Sequence, residues 1–536
     1  MMKSLTGFLE RRLSALVLGL MVIQPALDVF SYFLEQQVGS NTISTLLRFF
    51  LLAAVALLGF AVSKKKKWYF VFYGVAFLFW MVHMLNCFRI GYTSLYTDAA
   101  NYLRIINFPI FTLSLITFFQ QGRDVRKSIY LGFAIDLGEV LLFTALPWAL
   151  GMPVYTYRDL YVGVLGWFST PSAQSAVVTL LVPMGLLWAL RTEKYPVFAV
   201  TAVLGFGLMF LTGTKFTFYS IFIVAGAYLF LFVLQWKKRY IAYGATLLVL
   251  LAAVVLFRDQ SPMAVREHMT AYSQGEYTRL VEESLKNSGV DESEIEDLQE
   301  GEEELEEEQE EDYLPPEVHL ENKRRALLGV YTDREVYGPF FASFHERFGA
   351  YRVMDAYGYT VDTSVLSDTR VRKSMFADLV WEEKDFFTKL FGFEYADMIT
   401  PEEIYDLEND FPAIFFFCGY VGFALYLLFF AYFGFILLRA FWWKLKDAAG
   451  ERPKGRPVLW HLQVFWDGLR RYLTLEMGAV GMTFLLAAIA AQISGNVLRR
   501  PNVTVYFAAA AACIYFLTVE QPKRQRGELP SQTERF

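Results

Sequence analysis

The chain has 536 residues, 55% hydrophobic and 17% aromatic, with a formal net charge of −6. Its apolar residues fall in blocks about 20 long, the length that crosses a bilayer core as a helix. That pattern excludes a soluble globular enzyme and predicts an all-α polytopic membrane protein. The densest acid sits in one tract, Asp291 to Asp312, which carries no Lys or Arg, and the remainder is basic. Nothing in that distribution predicts a nucleic-acid partner.

In chain order, about twelve membrane spans are predicted near 13–34, 42–62, 68–88, 101–120, 128–150, 172–190, 196–212, 215–235, 240–257, 411–438, 473–494 and 502–518. The first is too long for a signal peptide and lacks a small-residue cleavage site, so it is read as an uncleaved span. Lys and Arg cluster at Arg11 and Arg12, Lys64 to Lys67, Arg123 to Lys127, Arg191 and Lys194, Lys237 to Arg239, Arg439 to Arg471, and Lys523 to Arg526, on alternate loops. The charge bias therefore places those loops and both termini in the cytoplasm of a multi-pass inner-membrane protein. The expected organisation is spans 1–9 over 1–257, one large extracytoplasmic loop over 258–410, spans 10–12 over 411–518, and a cytoplasmic tail over 519–536.

Within the large loop, the acidic tract 291–312 has too few apolar residues to pack and is expected to be disordered or a solvated helix. Its flanks mix aromatics with helix-period apolar residues and predict short amphipathic helices on the outer membrane face. Cys87, Cys418 and Cys513 lie in or beside apolar blocks without pairing or metal-ligand spacing and read as inert packing residues.

Five cations stand where a bilayer disfavours them: Arg48, Arg104, Lys215, Arg499 and Arg500, all expected at the outer leaflet. Individually each could pair locally, as Arg48 could with Asp28. As a set they fit a multiply charged anion such as a phosphate ester. Asp136 and Glu139 share a face of the fifth span, which fits either a proton or cation pathway or an internally hydrogen-bonded pair. At the other end of the large loop, Glu408 and Asp410 abut an apolar run, where they fit either a general base or a helix cap with Asn409.

Three stretches carry a resemblance: GWFSTPSAQSA (Gly166 to Ala176), LTGTKFTF (Leu211 to Phe218) and ENDFPAIFFFCGYVG (Glu408 to Gly422). They are similar to the Gly-Phe-x-x-Pro-Asn, Thr-Gly-Ser-Arg and His-Asn…Tyr-Gly-x-x-Gly stretches of the O-antigen ligase and polysaccharide polymerase superfamily. The departures are Ser172 for asparagine, Lys215 for arginine, and Glu408 for the histidine regarded as catalytic. His345, in the same loop, is a candidate to replace that histidine.

The resemblance implies a GT-C-like fold. It also implies glycan transfer from a polyprenyl-diphosphate carrier to the hydroxyl of an acceptor glycan or glycolipid, in contact with membrane lipid and without metal or cofactor. Under it, Arg48, Arg104, Lys215, Arg499 and Arg500 bind the diphosphate, and Glu408, Asp410 or His345 supplies the base. Ligase and polymerase stay open, as do sugar and acceptor. The alternative is a lipid-linked glycan flippase or ion-coupled transporter using Asp136 and Glu139, although no internal repeat of the kind such transporters carry is visible. A scaffold that only presents the loop would leave the outer cations without a purpose.

Overall fold

The structure, a computed structural model, describes residues 2–288, 324–325, 327–329, 331–332, 338–451, 457–495 and 497–526. The acidic tract 291–312 lies outside them. Among the described residues, eleven helices are long and apolar enough to cross a membrane, and a further apolar helix, Tyr240–Leu256, has 17 residues. Beta structure there amounts to two isolated bridges, Tyr157 with Val162 and Ile399 with Ile404.

The first nine spans are α1 (Met2–Val38), α2 (Thr42–Val62), α3 (Lys66–Ile90), α4 (Leu95–Gln121), α5 (Val125–Ala149), α6 (Pro171–Arg191), α7 (Tyr195–Thr212), α8 (Lys215–Leu234) and α9 (Tyr240–Leu256). Local chemistry sets their ends. Pro171 opens α6 at a position where no amide donor is needed. Gly213, at φ +75°, closes α7, and the Thr214 hydroxyl then accepts from the Thr217 amide to start α8.

The most enclosed span is α6, with 94% of its apolar window buried. It packs on α5, α7 and α8.

Among its described residues the large loop includes, at one end of the bundle, α10 (Pro262–Ser288), α11 (Gly338–Phe348), α12 (Ala350–Ala356), α13 (Thr363–Leu366), α14 (Thr369–Glu383) and α15 (Phe386–Phe391). Their apolar faces meet around Phe341, Phe344, Phe348, Phe376 and Tyr405, with the last two rings stacked at 4.0 Å. This end is called the loop face below. The loop is pinned to the α3–α4 turn, where Glu394 accepts from the amides of Thr93 (2.7 Å) and Ser94 (3.0 Å).

The remaining helices are α16 (Asp410–Glu451), α17 (Pro457–Tyr472), α18 (Leu475–Ile493) and α19 (Pro501–Tyr515), the last continuing through a π-turn to Gln525. Ala508 to Ala512 are all fully buried, and this small-residue run lets α19 lie close against α4. The apolar run alone predicts a span ending near 438. Helix instead continues to Glu451, well past the apolar residues, because RAFWWKLKDAAGE keeps helical propensity after apolar composition ends.

Near its start α16 breaks at Gly419 (φ +62°), opposite Gly392 (φ +87°) at the end of α15. A Cβ on Gly419 would stand 2.5 Å from the Gly392 amide nitrogen, and one on Gly392 would strike the Phe417 carbonyl. The two bare backbones therefore interlock, and the Phe393 amide donates to the Phe416 carbonyl (3.2 Å) across the gap. Gly422, one turn on, admits Phe79 from α3. These contacts account for the glycine pair in GYVG.

Candidate functional site

A cavity of about 310 Å3 opens at the loop face between α1, α2, α4, the 168–170 segment before α6, and the turn before α19. Four of the five cations expected together line it: Arg48, Arg104, Arg499 and Arg500. Two of them are neutralised. Arg48 Nη2 lies 2.5 Å from Asp28, which also accepts from Asn502 Nδ2 (3.1 Å). Arg499, 2% exposed at its side chain, donates to Asp406 Oδ1 (2.8 Å) and to the Leu407 carbonyl.

The other two differ. Among the described residues Arg104 makes no hydrogen bond or ion pair, and Arg500 reaches only the Thr170 hydroxyl (3.1 Å). Burial pushes the Arg500 guanidinium down, opposed by Asp406. A guanidinium stays charged under such shifts, so the cavity holds two cations without carboxylate partners.

The 168–170 segment reaches the cavity because of Gly166, whose φ of +80° and contact with Thr144 leave no room for a Cβ. Trp167 then donates to the Phe143 carbonyl (3.2 Å), turning Phe168, Ser169 and Thr170 to the cavity. The GWFSTP stretch is thus part of the wall, and Gln174, one turn into α6, lines it too.

The remaining expected residues lie outside the cavity lining. Lys215 pairs with Glu267 of α10 at 2.9 Å, its side chain 59% exposed. Glu408 is clasped by Arg370 (2.9 Å) and Lys373 (3.5 Å) of α14, while its stem packs on Gly495. Asp410 is fully buried and accepts from the amides of Val497 (2.5 Å) and Leu498 (2.8 Å), with Arg499 Nε at 3.4 Å. It therefore braces the turn before α19 and does not cap its own helix. His345 stacks on Phe341 in the loop's aromatic core, half-buried, and burial lowers its pKa. Asp136 is buried deep in α5 beside Tyr506, away from the lining.

The carboxylate of this stretch that does line the cavity is Asp406, two residues before Glu408. Burial alone would raise its pKa, but Arg499, with Arg104 and Arg500 behind it, holds it below the usual carboxylate range. Sequence reasoning missed it because the Leu-Glu-Asn-Asp register drew attention to the acids nearest the apolar run. Glu35, on the last turns of α1, is exposed at the rim.

Among the described residues one group of potential metal ligands occurs elsewhere: His83, Cys87 and Asp98, all buried. His83 Nδ1 donates to the Phe391 carbonyl (2.8 Å), and Nε2 faces Asp98 (3.1 Å) and Cys87 (3.6 Å). Three ligands are one short of a structural zinc set, and none of them lines the cavity.

A bundle of about twelve apolar helices with an arginine-lined cavity beside the helices of the large loop defines a polytopic membrane protein with a cationic pocket at one end of the bundle. The family model for O-antigen ligase like membrane proteins matches residues 11–448, and the chain belongs to that family. No curated protein and no solved structure matches. Family membership assigns it a role in membrane glycan assembly, as an enzyme of the membrane glycosyltransferase type.

Proposed function

We propose that the cavity binds the diphosphate of a polyprenyl-linked glycan and that the protein transfers this glycan to an acceptor hydroxyl at the outer face of the cytoplasmic membrane. The observation that carries the reading is the pair Arg104 and Arg500, two guanidiniums turned to one cavity without carboxylate partners among the described residues. Arg48 and Arg499 add charge whose direction is fixed by Asp28 and Asp406.

In the transfer, the acceptor oxygen bonds to the anomeric carbon while the bond from that carbon to the phosphate oxygen breaks. The diphosphate leaves with the electron pair, and guanidiniums already aimed at it stabilise the developing charge. The acceptor proton goes to a carboxylate. Its position on the cavity favours Asp406 over Glu408, Asp410 and His345 for that role. In an oxocarbenium-like displacement the hydroxyl becomes strongly acidic only as the new bond forms, so an ionised carboxylate suffices as base. No step draws on a metal or cofactor.

On this reading the loop face is extracytoplasmic and both termini are cytoplasmic. The test is transfer by purified protein from a polyprenyl-diphosphate glycan. Asp406→Asn should retain donor binding and lose turnover, whereas normal turnover would refute the base assignment.

A further inference from the structure

A second cavity, of about 580 Å3, lies at the opposite end of the bundle, between the ends of α6, α8 and α19 and the segments α16 and α17–α18. Its lining carries six cations, Arg191, Lys237, Arg239, Lys444, Arg471 and Arg526, against three carboxylates, Glu193, Asp447 and Glu476. Most of the acid is already engaged. Glu476 holds Arg191 (2.8 Å) and Arg126 (3.3 Å) and accepts from Tyr130 (2.6 Å). Glu193 holds Arg239 (2.6 Å), and Arg471 takes Glu451 from outside the lining.

Lys237, Lys444 and Arg526 make no ion pair with a described residue. Lys237 and Arg526 lie over the rings of Tyr240 (5.9 Å) and Trp443 (5.4 Å). The cavity is thus a basin of excess positive charge with a buried ionic floor.

The depth of this basin in the bilayer follows from α17. Leu459, Leu462 and Trp466 recur on one face of it and are 51–55% exposed, while its other side, with Phe465 against Phe441, packs on α16. A helix with an unpartnered apolar face, ending in Arg470 and Arg471, lies along the plane where headgroups meet acyl chains. The cavity begins where α17 ends, at Arg471 and Tyr472. Its wall adds Leu187, Leu190 and Leu517, so an anion entering it would have apolar surface beside it.

We infer that this cavity binds the phosphate headgroup of an anionic membrane phospholipid, with Lys237, Lys444 and Arg526 as the contacting cations and the acyl chains leaving along the leucine wall. Basic pockets between span ends are suited to this chemistry, each nearby cation adding attraction for the phosphate. The lipid would bridge the long α16–α17 arm to the ends of α6, α8 and α19. The inference does not depend on the reaction proposed for the loop face.

The test uses the full chain purified in detergent, with bound lipid counted by native mass spectrometry after addition of dioleoyl phosphatidylglycerol or dioleoyl phosphatidylcholine. The wild type should retain phosphatidylglycerol and not phosphatidylcholine. Lys237→Ala/Lys444→Ala/Arg526→Ala should bind it about a hundredfold more weakly, from about fivefold per cation. Lys237→Arg/Lys444→Arg should bind it as the wild type does, which separates loss of charge from damage to the fold. Equal retention of both lipids, or unchanged retention by the triple variant, would overturn the assignment. Displacement of phosphatidylglycerol by millimolar inorganic phosphate would overturn it in favour of a free-anion site.

Discussion

Arg499 Nη1 lies 2.8 Å from Asp406 Oδ1, and the guanidinium is almost wholly enclosed. The same side chain meets Asp410 at Nε, so one arginine joins the carboxylate lining the cavity to the carboxylate beneath it. Arg499→Ala would leave the buried Asp410 and the cavity-lining Asp406 without their shared cation, at a cost of about 3–5 kcal/mol. The expected result is a large drop in melting temperature of the purified protein, and an unchanged melting temperature would show that the turn is held by something else.

Arg104 and Arg500 should behave differently, because neither closes an ion pair in the fold. Arg104→Ala and Arg500→Ala should each weaken donor binding by about tenfold to a hundredfold, the worth of a charge-assisted hydrogen bond, with little change in melting temperature. Lys215→Ala removes only a half-exposed pair worth about 1 kcal/mol or less. Titration with a polyprenyl diphosphate checks all three, and the ranking fails if Lys215→Ala is the most damaging.

The pH profile separates the candidate bases. Asp406 must be ionised to accept a proton, and Arg499 outweighs burial to hold its pKa low. With Asp406 as base, transfer should persist through the ordinary aspartate value of about 3.9 and fall only below it. Burial lowers His345 from its ordinary value; with His345 as base, transfer would be lost as pH falls through a value below about 6.5. The stability contributed by Asp406 has the same sign: present above its unfolded value of about 3.9, it is lost as pH falls through the depressed folded value. Activity of Asp406→Asn beside inactive Glu408→Gln would return the role to Glu408.

Orientation is testable with little background, since Cys87, Cys418 and Cys513 are all buried. A cysteine introduced at Glu303 should react with an impermeant thiol reagent added to whole cells, and one at Lys446 should not. Labelling at both positions from outside would overturn the sidedness. Deleting 291–312 should leave transfer intact, because loop-closure cost changes slowly with length.

Much of the bundle was legible in advance because a bilayer imposes a length and a composition on every segment that crosses it. The limits showed where composition stops informing: the α16 helix outruns its apolar stretch, and α17 was hidden inside a basic connection. The convergence of Arg48, Arg104, Arg499 and Arg500 was readable because charge near the outer ends of spans is costly. Which carboxylate meets them was not. Asp406, Glu408 and Asp410 lie within five residues, and the irregular backbone ahead of α16 sends them respectively to the cavity, to α14 and to the turn before α19. Lys215 lies outside the cavity lining for a related reason: topology puts it at the loop end of the bundle, where the loop helix α10 supplies Glu267 as its partner.

The meeting of Gly392 with Gly419 bears on biogenesis. The two positive-φ glycines leave no space for side chains, and they belong to parts of the chain made at different times: α15 is synthesised before α16. Their closure has to wait until α16 has been made and is in place to meet the loop. The seam is therefore a late checkpoint of assembly, at which an alanine in either position would leave a chain inserted in the membrane with its cap unseated and its arginine cavity unfinished.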